Sequence, residues 1–255
     1  EIVSHASGVM LSGVGTTSLP ITTSSSRARD LVHQGLALRH CFWFNESLRS
    51  FRDAAKEDPD CAMAWWGVHA AITNPWYRIR GADKEADYAI KRAALLVEKA
   101  TNVEAAIIMA HRSFAETDSE SKFYESLEAV IKSYPNAVEP KLLLAGHMVQ
   151  TMLGGYDENG MPRGELARVT QLAFDVLKSE PNNAAAHHYV IHALEGSPTP
   201  ERAVPSADAI GKAAPASGHM VHMAGHIYFR IGEYAKAREV FNRCTEVTEK
   251  YFADI

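Results

Sequence analysis

Six of the twelve histidines fall in two short runs, HHYVIHALEG at 187–196 and GHMVHMAGHIY at 218–228. Imidazole is the commonest protein ligand for transition metals. At about 100° per helical residue, offsets of 0, +4 and +7 place His188, His192 and Glu195 on one stripe. Offsets of 0, +3 and +7 do the same for His219, His222 and His226. Packed helices lie about 8–10 Å apart, a gap that imidazoles from two such stripes can close on one ion. Other uses of five close histidines are costly, because protonated rings repel and buried neutral rings need partners for both nitrogens. The expected metal site is therefore His188, His192, His219, His222 and His226. Glu195 is open between ligand, orienting group and helix-end residue, and His147 and His40 are candidates for a further ligand from a neighbouring repeat.

A nitrogen-rich donor set without a nearby cysteine favours copper or zinc, with iron and nickel open and one or two ions conceivable. His33, His69, His111 and His187 are read as packing or surface residues. The aromatic runs HCFWFN, AWWG and NPWYRIR read as core packing between helices, with a stacking wall for a small ligand as the alternative. The sequence contains no glycine-rich phosphate loop, no G-x-S-x-G elbow and no H-E-x-x-H, so nucleophilic catalysis is not expected.

The elements that must carry these stripes are helices. From residue 27 onward, apolar residues recur at spacings of three and four, with Pro and Gly mostly between the segments. About twelve helices are expected, among them 27–44, 83–100, 183–196, 200–214 and 218–232. Short loops pair them as about six antiparallel hairpins. Residues 1–26, rich in Ser, Thr and Gly, form an extended arm read as a linker or packing tail, with a strand donated to a neighbour or a glycosylated segment as the alternatives.

Internal periodicity sharpens this picture. Pro181 and Pro215, Ala203 and Ala237, His188 and His222, and His192 and His226 are each 34 residues apart. A 34-residue helix-turn-helix unit resembles the tetratricopeptide repeat. GHIYFRIGEYAKAREVFNRC is the clearest copy, through Gly225, Tyr228, Gly232, Tyr234, Ala237 and Phe241. NESLRSFRDAAKEDPD resembles a second helix through Phe51, Ala54 and Pro59. DPDCAMAWWG, HALEGSPTPERAVPSAD and GHMVHMAGHIY resemble a narrower, histidine-rich group that implies no particular reaction.

The resemblance implies an all-α fold, a right-handed α-solenoid of about six antiparallel helix pairs over 27–255. It also implies that the first helix of each unit lines a concave face. Eleven of the histidines fall on expected first helices. In the family's register His219, His222 and His226 take groove positions 2, 5 and 9, while His188, His192 and Glu195 take 5, 9 and 12.

The bulk composition excludes other classes. With 26 Lys and Arg against 31 Asp and Glu, the net charge of −5 leaves no broad basic surface for nucleic acid. No apolar run approaches the roughly 20 residues of a membrane span. Three cysteines cannot staple a disulfide scaffold, although a hairpin could bring Cys41 and Cys61 together. A chain beginning at Glu1 suits a processed protein, secreted or periplasmic, or a trimmed one.

Two functions are expected. One is a solenoid binding a transition metal on its concave face, in the manner of a redox enzyme acting on a small molecule. The other is an interaction module, taking a peptide in its groove or stacking end to end on copies of itself.

Overall fold

The computed structural model of the chain describes residues 9–151 and 155–254. Among these, twelve α-helices, two short 3-10 segments and one isolated antiparallel bridge, Tyr156 to Pro162, make up the regular structure. The helices are α1 (Ser26–His40), α2 (Phe44–Glu57), α3 (Ala62–Ile72), α4 (Asp83–Leu95), α5 (Asn102–Thr117) and α6 (Glu120–Ser133). They continue as α7 (Glu139–Thr151), α8 (Leu166–Ser179), α9 (Ala184–Leu194), α10 (Val204–Ala213), α11 (Gly218–Arg230) and α12 (Tyr234–Asp254). All eleven histidines expected on first helices lie on the odd-numbered ones.

Local chemistry explains the boundaries. Asn183, Ser119 and Ser217 cap α9, α6 and α11 by accepting from the backbone N–H three residues on, and Thr101 with Glu104 closes a capping box on α5. The expected helix 200–214 divides into a 3-10 turn, Pro200–Ala203, and α10, because Pro205 suits only a first helical turn. The expected helix 83–100 stops at Leu95 and relaxes into a 3-10 turn at Val97–Lys99.

The largest departure is at α1, expected to run to Phe44 but ending at His40. Phe42 takes a left-handed backbone with φ 59°, and the Trp43 N–H donates to the Leu38 carbonyl at 3.0 Å. This is a Schellman-type stop with phenylalanine where glycine is usual. A non-glycine residue there costs about 1–2 kcal/mol.

The chain forms two compact units. The first comprises 1–10, 17–39 and 43–140; the second comprises 11–16, 40–42 and 141–255. In the first, α2 packs on α3, α3 on α4, α4 on α5 and α5 on α6. Its centre is Phe51, fully buried and edge-on to Trp66 at 6.2 Å. Gly35 on α1 and Gly67 on α3 leave the space that the Phe51 ring fills.

In the second unit α8 packs on α9, α9 on α10 and α11, and α11 on α10 and α12. The same device recurs there: Gly225 admits the ring of Phe241 and Gly146 admits the hydroxyl of Tyr189. Cys41 and Cys61 are both buried free thiols, so no bridge joins them. Burial pushes the Cys41 thiol up to about 12, and its Sγ donates to the Val14 carbonyl.

A methyl group at position 67 would collide with the Phe51 ring. Gly67→Ala should therefore lower unfolding free energy by about 1–3 kcal/mol, the usual cost of overpacking a tight core. The loss should appear in urea titration as a reduced midpoint with an unchanged slope.

Candidate metal centre

The site is built in the second unit from α9, α11 and the 40–42 turn. His188 lies fully buried on α9. Its Nδ1 is 2.8 Å from the backbone oxygen of His40. A carbonyl only accepts, so Nδ1 carries the hydrogen and Nε2 presents its lone pair. That Nε2 is 2.9 Å from the Nε2 of His219 on α11. Donation of one ring hydrogen from His219 joins the two nitrogens when no cation is bound.

His192, one turn along α9, completes the group. One ring nitrogen from each of His188, His192 and His219 can be chosen so that all three lie within 4.8 Å of one another. No other set of three or more His, Cys, Asp or Glu among the described residues meets this distance. Glu195 orients the outer edge: one carboxylate oxygen is 3.4 Å from His192 Nδ1 and the other 2.6 Å from His226 Nδ1. A carboxylate behind an imidazole is the usual arrangement around metal-binding histidines.

The remaining expected residues take different places. The His222 ring lies between those of His219 and His226, with centroid separations of 4.8 and 5.0 Å. His222 and His226 thus extend a file of imidazoles from the buried group to the half-exposed His226. His40 contributes its carbonyl to His188, while its own Nδ1 meets the Tyr189 hydroxyl at 2.6 Å. His147 is buried on α7 and lies outside the group of three.

His187 bonds to Ser206 and to the Pro181 carbonyl. His33 donates to the Leu19 carbonyl and His69 to the Ala86 carbonyl. His111 packs edge-on against Trp66 and Phe123. These four have the packing roles expected of them.

Two residues escaped the pattern of stripes. The Phe42 ring lies 4.5 Å from that of His188, 5.3 Å from His219 and 5.7 Å from His192, covering all three. Tyr189 is buried, stacks on His188 at 5.4 Å and fixes the ring of His40. A run of aromatics at 42–44 was the only signal for Phe42, because helical periodicity carries no information beyond a helix end.

Electrostatics keep the rings of His188, His219 and His222 neutral. Burial first, then the neighbouring rings of His192 and His219, holds His188 well below 6.5. Burial with His222, His192 and His226 nearby lowers His219 to about 3, and burial beside His226 lowers His222 to about 4. Burial pulls Glu195 the other way, upward, but hydrogen bonds from His192 and His226 outweigh it and bring the carboxyl to about 2. At neutral pH His188, His219 and His222 are unprotonated and Glu195 is a carboxylate.

Comparison with known proteins adds a match over one repeat. No curated protein matches the chain. Among solved structures it is similar to MamA from AMB-1, with 18% identity, a TM-score of 0.48, and coverage of 70% of this chain and 93% of that one. MamA from MSR-1 gives 18% identity and 0.48, covering 71% and 99%. A MamA RS-1 ArsTM double mutant gives 12% and 0.43, covering 90% and 98%. Residues 219–251, which span nearly all of α11 and most of α12, match the tetratricopeptide repeat family. The chain thus carries one segment, 219–251, that matches the tetratricopeptide repeat.

Proposed function

We propose that this helical-repeat protein holds one transition-metal ion through His188, His192 and His219. The observation that carries this reading is the convergence of three imidazole nitrogens within 4.8 Å. The His188–His219 nitrogen separation of 2.9 Å is that of two ligands on one ion at bond lengths of about 2.0–2.1 Å and a right-angled bite.

The donor chemistry fits: His188 and His219 are held unprotonated at neutral pH, and His188 has its second nitrogen committed to a carbonyl. Three nitrogen ligands without cysteine favour copper or zinc. A three-ligand site leaves a coordination position for a small molecule, where the bound ion would supply Lewis-acid or redox chemistry.

The protein's own groups do the rest. His40, Tyr189 and Glu195 fix ring orientation, and Phe42 covers the rings. His222 and His226 carry the imidazole file outward, and each is a ligand candidate once the rings adjust. The repeat at 219–251 also supports a second reading, an interaction module, which can coexist with a bound ion.

Protein purified without an immobilised-metal column should carry about one copper or zinc ion per chain by elemental analysis. His192→Ala and His219→Ala should each weaken binding by more than the roughly 10–100-fold lost with an outer partner. His33→Ala, in the other unit, should leave it unchanged. Retention of stoichiometric metal by both site variants, or its absence from the native protein after incubation with either ion, would exclude the site.

Acid should act on the metal-free protein as well. His188, His219 and His222 have depressed pKa values in the folded state, so below about 6.5 the unfolded chain binds their protons first. Stability is full above that pH and falls as pH drops towards 4 and 3. Chemical denaturation at stepped pH should show this slope, and His222→Gln should make it shallower.

A further inference from the structure

The connection from α7 to α8, residues 152–165, is the longest between successive α-helices of the chain. Packed helices need only about 2–8 residues there, and longer connections in compact folds usually carry function. Its described part is built rather than slack. Tyr156 bridges to Pro162, the Asp157 N–H donates to the Met161 carbonyl at 2.9 Å, and Asp157 Oδ1 accepts from the N–H groups of Asn159 and Met161 at 2.9 and 2.8 Å. Two contacts dock this loop on the end of α9 and the turn after it. The Tyr156 hydroxyl donates to the Ala193 carbonyl at 2.8 Å, and Gly160, at φ 76°, lies against Pro198 where a side chain would collide.

Docked in this way, the loop leaves a cavity of about 470 Å³ between itself, α8, the end of α9 and the turn at 197–202. That volume is in the range of small-molecule sites. On α9, Leu194 in the cavity wall is turned by about 200° from His192, so the cavity and the histidines lie on opposite sides of the helix.

The walls define what the cavity can take. The Tyr156 ring, Ala167, Leu194 and Pro198 supply apolar surface. Polar atoms beside them already have partners: Thr170 Oγ1 donates to the Leu166 carbonyl at 2.8 Å, and Ser197 Oγ accepts from the Thr199 N–H at 3.2 Å. Arg202 differs. Its charge reaches the Tyr156 phenol, and among the described residues no carboxylate pairs with it. A single guanidinium beside an apolar wall matches a monoanion, and a planar carboxylate takes two of its parallel N–H groups. A phosphate dianion would leave one charge uncompensated in a protein of net charge −5.

We propose that this cavity binds a small monocarboxylic acid, its carboxylate on Arg202 and its apolar body against Tyr156, Leu194 and Pro198. The Thr199 hydroxyl stands beside the guanidinium as a second donor in the turn.

Isothermal titration calorimetry on the full chain tests this with two probes, 2-naphthoate for an aromatic body and hexanoate for an aliphatic one. At least one should bind at one site per chain. The amide of that acid should bind at least about 10-fold more weakly, the loss expected when one charge-assisted hydrogen-bonded pair is removed. Arg202→Gln should cause the same loss. Ala167→Trp, which fills the cavity from an exposed position on α8, should abolish binding. Arg238→Gln on α12, outside the wall, should change nothing, and neither should His192→Ala.

Both wall substitutions are at exposed residues, so circular dichroism should show the wild-type helix content. A wild type that takes up neither acid at millimolar concentration, or binds the amide as well as the acid, would overturn the proposal. So would binding that persists in both wall variants, which would be adsorption elsewhere on the surface. Binding that survives Arg202→Gln but is lost in Ala167→Trp would mean a neutral occupant, and loss in His192→Ala would place the acid at the histidines; either result would also overturn it.

Discussion

The hydrogen bond from His188 Nδ1 to the His40 carbonyl is the contact on which the histidine cluster depends. It spans 148 residues of sequence and fixes which nitrogen of a fully buried ring is available for chemistry. With the proton committed to the carbonyl, the Nε2 lone pair points at His219, and the other rings order themselves around that pair. Without an acceptor at that place, the ring would carry an unsatisfied N–H in an apolar interior, at about 1–3 kcal/mol. The acceptor exists because α1 ends at His40, where the last carbonyls of a helix have no internal partner.

The helix stop and the site are thus one device. Phe42 adopts a backbone conformation that disfavours any side chain, and its ring covers His188, His192 and His219. Glycine would close the helix with less strain and leave the imidazoles uncovered. A strained residue maintained at a cluster of perturbed histidines is the association seen at working sites in general. Tyr189 supports it from the other side, its hydroxyl accommodated only because residue 146 lacks a side chain.

Much of this was legible in the chain. Helical periodicity, Pro and Gly between segments and the 34-residue spacing specified about twelve helices and the hairpin pairing. The stripe argument brought His188 and His192 together with His219, since a helix fixes side-chain angle to within tens of degrees.

It placed His219 just behind His222 and His226, because the relative rotation and rise of two packed helices are set by core side chains such as Tyr189 and Met223. The role of His40 was legible only as a ring, whereas the structure uses its backbone oxygen. The place of Phe42 and the partners of the arm were invisible for a related reason: irregular backbone has no period, and its position is decided by distant carboxylates and rings. The arm read as a linker or packing tail from its composition, which does not say which acids hold it: Thr17, Thr22, Thr23 and Ser24 each find a buried one.

The division of the chain has a consequence for how the protein is made. Residues 11–16 and 40–42 belong to the same compact body as 141–255, although the intervening sequence builds the other one. A ribosome delivers those early pieces long before the helices that receive them. The histidine cluster therefore cannot assemble until α9 and α11 have emerged, and contacts of such wide sequence separation form slowly. During that interval the exposed turn bearing Phe42 and Cys41 is an apolar, thiol-bearing surface on a half-made protein, which makes biogenesis more vulnerable to aggregation than the finished molecule.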